Sequence, residues 1–226
     1  MIVRRGTQLA AGTVLLVLAT LVTLFASGGG ATGADAETCA RFSLQSQVRE
    51  RLVTGQGDRR VVVIGDSYAV GLGLRDPQAS WPSGLRGRVH VYGFSGSGFS
   101  AHASRCPGVA YAARAPRAVV VGADLVVVEG GLNDYDQPVS AVRAGFRSLM
   151  RTLDGHKVLV VGPPAAPARA AAARRVDAVL RAESERAGVR YLSMARRQFT
   201  YLDDRLHLTP AGHRDFGAVV AKRLAR

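Results

Sequence analysis

Three short segments of this 226-residue chain are apolar without interruption and stop on glycine or proline: RRVVVIG at 59–65, ADLVVVEGG at 123–131 and HKVLVVGPP at 156–164. Runs of Val, Ile and Leu without polar alternation require a strand covered on both faces, and such strands belong to parallel sheets. RVHVYG at 88–93 and VRYLSM at 189–194 supply two more strands, five in all. Helical spacing falls between them, near 110–121, over 137–153 and over 166–188, where Gly188 stands at the C-terminal end. Residues 39–53 form a helix before the first strand, and Trp81-Pro82 starts a further helical turn. Thr209-Pro210 opens a last helix through residue 225, with proline near its first position. Strand–helix alternation specifies an α/β domain with right-handed crossovers. In such a sheet the chemistry lies beyond the carboxyl ends of the strands.

The N-terminus follows a different plan. MIVRRGTQ carries two arginines, LAAGTVLLVLATLVTLFAS runs for 19 residues without a charge, and GGGATGADAE is small and polar. This is the layout of a signal peptide, with Ala34-Asp35-Ala36 as its A-x-A site, or of an uncleaved membrane anchor with Arg4 and Arg5 inside. The expected organisation is therefore a leader or anchor at 1–36, an N-terminal helix and linker at 37–58, and the domain at 59–226. Either reading puts residues 40–226 outside the cytoplasm, secreted or anchored. The acidic Ala36-Glu37-Thr38 context does not suit lipidation of Cys39. Two cysteines in an exported chain suggest a Cys39–Cys106 disulfide. Chain entropy gives such a long loop about 4 kcal/mol. With no His pair near them, the cysteines are a poor metal site, and neither metal nor cofactor is expected.

The formal net charge is +13, and only two of the 30 basic residues are lysine. The arginines are scattered in runs no longer than a pair, alongside abundant Ala, Val and Gly, which reads as compositional habit. No nucleic-acid partner is expected. Weak attraction to a membrane surface or anionic envelope is consistent with the charge.

Polar clusters follow the strand ends. Gly65-Asp66-Ser67 follows the first strand, Gly93 to Gly96 the second, and Gly130-Gly131-Leu132-Asn133-Asp134 the third; Tyr201 to Thr209 follows the last. Alone, Ser67 reads more readily as a helix cap than as a nucleophile. The set together suits acyl transfer. A serine hydroxyl needs a base, and His207 is suitable. Asp204, three residues earlier, can share a turn with it and fix its tautomer; Asp203 competes for that role. The Ser67 N–H, the Gly96 N–H and the Asn133 amide can stabilise an oxyanion. Glycine at 96 leaves room for the backbone to approach a substrate. Asp66 and Asp134 read as braces. His213 reads as structural or surface, and His90, His102 and His156 belong to no motif.

These blocks resemble the SGNH hydrolases, or GDSL esterase/lipase superfamily. GDSYAVG, FSGSG, GLND and DRLH match its four blocks in order, and the likeness spans roughly 59–225. The resemblance implies a flavodoxin-like three-layer α/β/α sandwich, metal-free hydrolysis and an acyl-serine intermediate. It assigns Ser67, Asp204 and His207 to the triad and Gly96 and Asn133 to the oxyanion hole. Two departures bear on the acyl pocket: the second block lacks the usual Asn ahead of its glycine, and Ser97 stands where small esterases carry Asp. The expected activity is that of an exported serine esterase on small-molecule or polymer esters, with short acyl groups or envelope-associated substrates favoured. An O-acyltransferase acting on envelope sugars and a non-catalytic, membrane-tethered binding module are the alternatives.

Overall fold

The computed structural model describes residues 33–225. The chain divides into two units, residues 1–40 and residues 41–226. Within the first, the described residues are the opening turns of helix α1 (Gly33–Arg51), which begins ahead of the expected position 39 and includes Ala34-Asp35-Ala36. The apolar run expected to be a signal or anchor lies outside the described residues. Among the described residues, no helix is long and apolar enough to cross a membrane. Cys39 and Cys106 are both disulfide-bonded.

The second unit is built on a sheet of β1 (Val53–Thr54), β2 (Arg60–Gly65), β3 (Arg88–Gly93), β4 (Leu125–Glu129), β5 (Val158–Val161) and β6 (Arg190–Leu192). Their order is β1-β3-β2-β4-β5-β6. The five expected strands are all parallel to one another. The sheet nevertheless has six strands, because β1 adds an antiparallel edge against Val89 and His90 of β3. Two residues are too few to show a period, and Val53 continues the apolar spacing of the preceding helix, so the sequence reads it as helix. Without this edge the parallel strands follow the flavodoxin-like order 2-1-3-4-5.

Successive residues of β2 enter opposite cores. Val61 and Val63 pack with Trp81, Met194, Phe216 and Val220 on one face. Val62 and Ile64 pack with Phe99, Tyr111, Phe146, Leu149 and Leu180 on the other. Helix α6 (Pro210–Leu224) and the 3-10 turn Trp81–Gly84 cover the first face, while α3 (Tyr111–Val119) and α4 (Val139–Thr152) cover the second. Helix α5 (Ala170–Arg186) gives Ala173 to the first core and Val176 and Leu180 to the second. This is why β2 has no polar alternation: either face of the strand meets a helix layer, and each fully buried Val or Ile contributes about 1.5–3 kcal/mol. Helix α5 starts at Ala170, later than its spacing suggests, because residues 166–169 close a turn instead, the Arg169 N–H donating to the Ala166 carbonyl.

Register pairs Gly65 with Gly93, and Ile64 with Val128, which in turn pairs with Val160. The carboxyl ends of β2, β3, β4 and β5 are therefore level, and their loops emerge along one edge. The order reverses between β2 and β4, so the loops after these two strands diverge at the topological switch point.

Helix α4 meets the loop after β3 at Gly145. A Cβ there would lie 1.9 Å from the Phe99 carbonyl oxygen. An ordinary mid-helix Gly→Ala change stabilises by about 1 kcal/mol. Here Gly145→Ala is expected to destabilise by about 1–3 kcal/mol through overpacking, seen as a lowered Tm; a raised Tm would show that the contact yields freely.

Candidate active site

Strand β2 stops at Gly65, and Asp66 caps the short helix α2 (Ser67–Val70), its Oδ1 accepting from the Tyr68 N–H at 2.9 Å. The capping role that Ser67 could have taken thus falls to its neighbour. The Ser67 hydroxyl, largely buried, instead lies 3.2 Å from His207 Nε2.

His207 comes from the segment between β6 and α6. Tyr201 and Leu208 pair as an antiparallel bridge, the Leu202 N–H donates to the His207 carbonyl, and Arg205 turns the chain with φ +57°. Asp204 organises the tip. Its Oδ1 accepts from the N–H groups of Leu206 and His207, both at 2.9 Å, and its Oδ2 lies 2.6 Å from His207 Nδ1. Asp204 rather than Asp203 is therefore the carboxylate on the imidazole. Burial opposes its charge, but the His207 ring and the two backbone N–H groups outweigh that and hold its carboxyl below the usual range. With Nδ1–H directed at Asp204, Nε2 is left as the acceptor for the serine proton. A short Tyr68 hydroxyl donation to the Leu206 carbonyl ties this segment to α2.

Gly96 and Asn133 lie in the loops that follow β3 and β4. Gly96 has φ +81°, yet a Cβ would meet only Ser104 Oγ, at 3.9 Å. The positive φ is by itself a reason for glycine at this position. Asn133 Nδ2 donates to the Ser97 carbonyl at 2.9 Å and reaches Asp66 Oδ2 at 3.3 Å. Asp134 is a brace: it accepts from the N–H groups of Phe99 and Ser100, at 3.0 and 2.7 Å, binding the loop after β4 to the loop after β3. Ser97 turns inward, donating to the Phe94 carbonyl and accepting from Arg114, so the departure from Asp adds to the framework.

Several residues of this framework went unread in the sequence. Buried Arg114 donates to the carbonyls of Gly65, Tyr92 and Val109, cross-linking the ends of β2 and β3. Among 28 arginines it carried no distinguishing signal. Glu129 was legible as one acid closing an apolar strand. It is fully buried, and its Oε2 accepts from Trp81 Nε1 at 3.4 Å. Burial, and then the nearby Asp66, push its pKa well above the ordinary range. Asp66 is raised to about 6, chiefly by burial, with the Tyr68 N–H, His207, Arg114 and Arg169 pulling the other way. Among the described residues, no three His, Cys, Asp or Glu side chains gather as a metal site.

The sequence matches the model of the GDSL-like lipase/acylhydrolase family over residues 63–214. Similar solved structures include the aryl esterase of M. smegmatis, 21% identical with TM-score 0.61, covering 74% of this chain and 99% of that one. A carbohydrate acetylesterase from Sinorhizobium meliloti is 19% identical with TM-score 0.60, at coverages of 74% and 99%. An acetyl xylan esterase is 13% identical with TM-score 0.58, at 73% and 99%. At these identities the likeness is one of fold. Among curated proteins, none matches the chain in sequence.

Behind the candidate triad, His213 is buried and its Nδ1 accepts from the Trp81 N–H at 3.3 Å, which needs the neutral ring. Burial, then the charge of His207, pushes its pKa from 6.5 down to about 4. A histidine held neutral stabilises the fold fully above its unfolded pKa, and this is lost as pH falls toward the folded value. The loss amounts to about 3 kcal/mol over the full window. Relative to His213→Gln, the wild-type Tm is expected to fall between pH 6.5 and 4, read by fluorescence of the single tryptophan. A pH-independent Tm difference would contradict a neutral His213.

Proposed function

The chain belongs to the GDSL-like lipase/acylhydrolase family, and on that premise we propose that it is an exported serine esterase whose reaction runs through Ser67, His207 and Asp204. The observation that carries this reading is the continuous chain from Ser67 Oγ to His207 Nε2, 3.2 Å, and from His207 Nδ1 to Asp204 Oδ2, 2.6 Å. Ser67 Oγ attacks the ester carbonyl as its proton passes to Nε2. The carbonyl oxygen becomes an oxyanion that accepts from the N–H groups of Ser67 and Gly96 and from the Asn133 amide. Asp204 stabilises the imidazolium, which then protonates the departing alcohol and leaves an acyl-serine. Water, deprotonated by the same nitrogen, attacks the acyl group, and the acid leaves as Ser67 regains its proton.

The open position of the site bears on the substrate. The Asp204 side chain is 45% exposed and that of His207 18%, so the reacting centre lies near the surface of the strand-end edge. Such a site suits a short acyl group on a small or polymeric alcohol. The carbohydrate acetylesterase and acetyl xylan esterase among the similar structures support acetylated carbohydrate as a substrate class. Export is supported by the disulfide-bonded state of Cys39 and Cys106. Residues 1–36 would then be the leader or anchor, and the basic surface would keep the enzyme near an anionic envelope.

The test is hydrolysis of p-nitrophenyl esters from acetate to palmitate. Ser67→Ala is expected to lower kcat by roughly a thousandfold or more, and Asp204→Asn to lower it strongly with the fold retained. A fluorophosphonate should label wild type and not Ser67→Ala. Equal turnover by wild type and Ser67→Ala would remove the assignment, and a preference for long chains would remove the short-acyl reading.

A further inference from the structure

Asn133 is gripped from both sides. On its Nδ2 side stand two acceptors, the Ser97 carbonyl and Asp66 Oδ2. On its Oδ1 side stands Arg169 Nη1 at 3.0 Å, which also donates to the Leu132 carbonyl at 2.9 Å. A guanidinium only donates, so this contact and the two acceptors fix which end of the amide is which. One nitrogen thereby holds the side chain of Asn133 and the backbone of the residue before it.

Arg169 is itself well placed. It precedes α5, where its own N–H donates to the Ala166 carbonyl at 2.8 Å. The adjoining Ala168 N–H reaches the Arg205 carbonyl at 3.0 Å, in the segment that carries Asp204 and His207. The guanidinium lies 4.1 Å over the Tyr135 ring. Among the described residues it makes no ion pair with a carboxylate. Its charge is directed at an amide oxygen, a carbonyl and an aromatic face.

We propose that Arg169 is a positioning residue for the oxyanion hole, acting through Asn133. A cation on Oδ1 draws electron density from the amide and makes the Nδ2 protons stronger donors. It also holds the amide in place, so that the Nδ2 proton held only at 3.3 Å by Asp66 can be shared with the developing oxyanion and little reorganisation accompanies the charge. Arg169 belongs to no motif, since it falls in an alanine-rich run outside all four blocks.

This inference rests on the serine-esterase reading, and a double-mutant cycle separates the two. Asn133→Ala is expected to lower kcat on p-nitrophenyl acetate by roughly a hundredfold. Arg169→Met is expected to lower kcat about tenfold with KM nearly unchanged, whereas Arg169→Lys, whose ammonium can serve the same two acceptors, should recover most of that loss. In the Asn133→Ala background, Arg169→Met should cost less than twofold. If Arg169→Met does not fold by circular dichroism, Arg169→Gln takes its place in the cycle. An equal loss in both backgrounds, a loss confined to KM, or no rescue by lysine would overturn the role of Arg169 and leave the esterase intact. A fully active Asn133→Ala enzyme would instead overturn Asn133 as an oxyanion donor, and this inference with it.

Discussion

One buried carboxylate holds the two halves of the site together. Asp66 caps α2 through the Tyr68 N–H, which sets the direction of Ser67, and its other oxygen meets the Asn133 amide from the neighbouring strand. A carboxylate in a dry interior is costly unless its oxygens are satisfied and cations stand near. Here the Tyr68 N–H, His207, Arg114 and Arg169 offset the desolvation in part, and the pKa rests near 6. The helix that carries Ser67 and the loop that carries Asn133 are thus indexed to the same atom group.

The sheet makes that indexing possible. Parallel pairing brings β2, β3 and β4 to a level edge, and apolar packing on both faces leaves that edge as the place for polar side chains. Arg114 adds its donors to the strand-end carbonyls of Gly65 and Tyr92, the first of which also accepts from the Phe94 N–H. Asp134 performs the complementary task with two backbone N–H groups of the loop after β3. Helix α2 therefore carries Ser67, while the loops of Gly96 and Asn133 and the His207 segment are fastened by side-chain bridges.

Charge is graded across the site. Glu129 and Asp66 lie deepest, and burial raises both. Asp204 lies at the surface, and its hydrogen bonds lower it. The Asp204 carboxylate keeps its charge where water and N–H donors support it, whereas a buried acid such as Glu129 serves better neutral, as a partner to the Trp81 indole.

Periodicity and spacing alone determined the α/β class, the five parallel strands and the placement of each polar cluster beyond a strand end. These are local properties: an apolar run, a glycine stop, a three-residue step from Asp204 to His207. The sequence also set Asp204 above Asp203, because a single turn fixes that geometry. What only tertiary structure decided depends on contacts between segments distant in the chain. The β1 edge exists because β3 offers it a partner. The cap went to Asp66 because Ser67 meets a histidine 140 positions away. Arg114 and Arg169 differ from the other arginines only in the carbonyl and amide oxygens brought to them by folding. A guanidinium has no local signature, so its role is set by the acceptors around it.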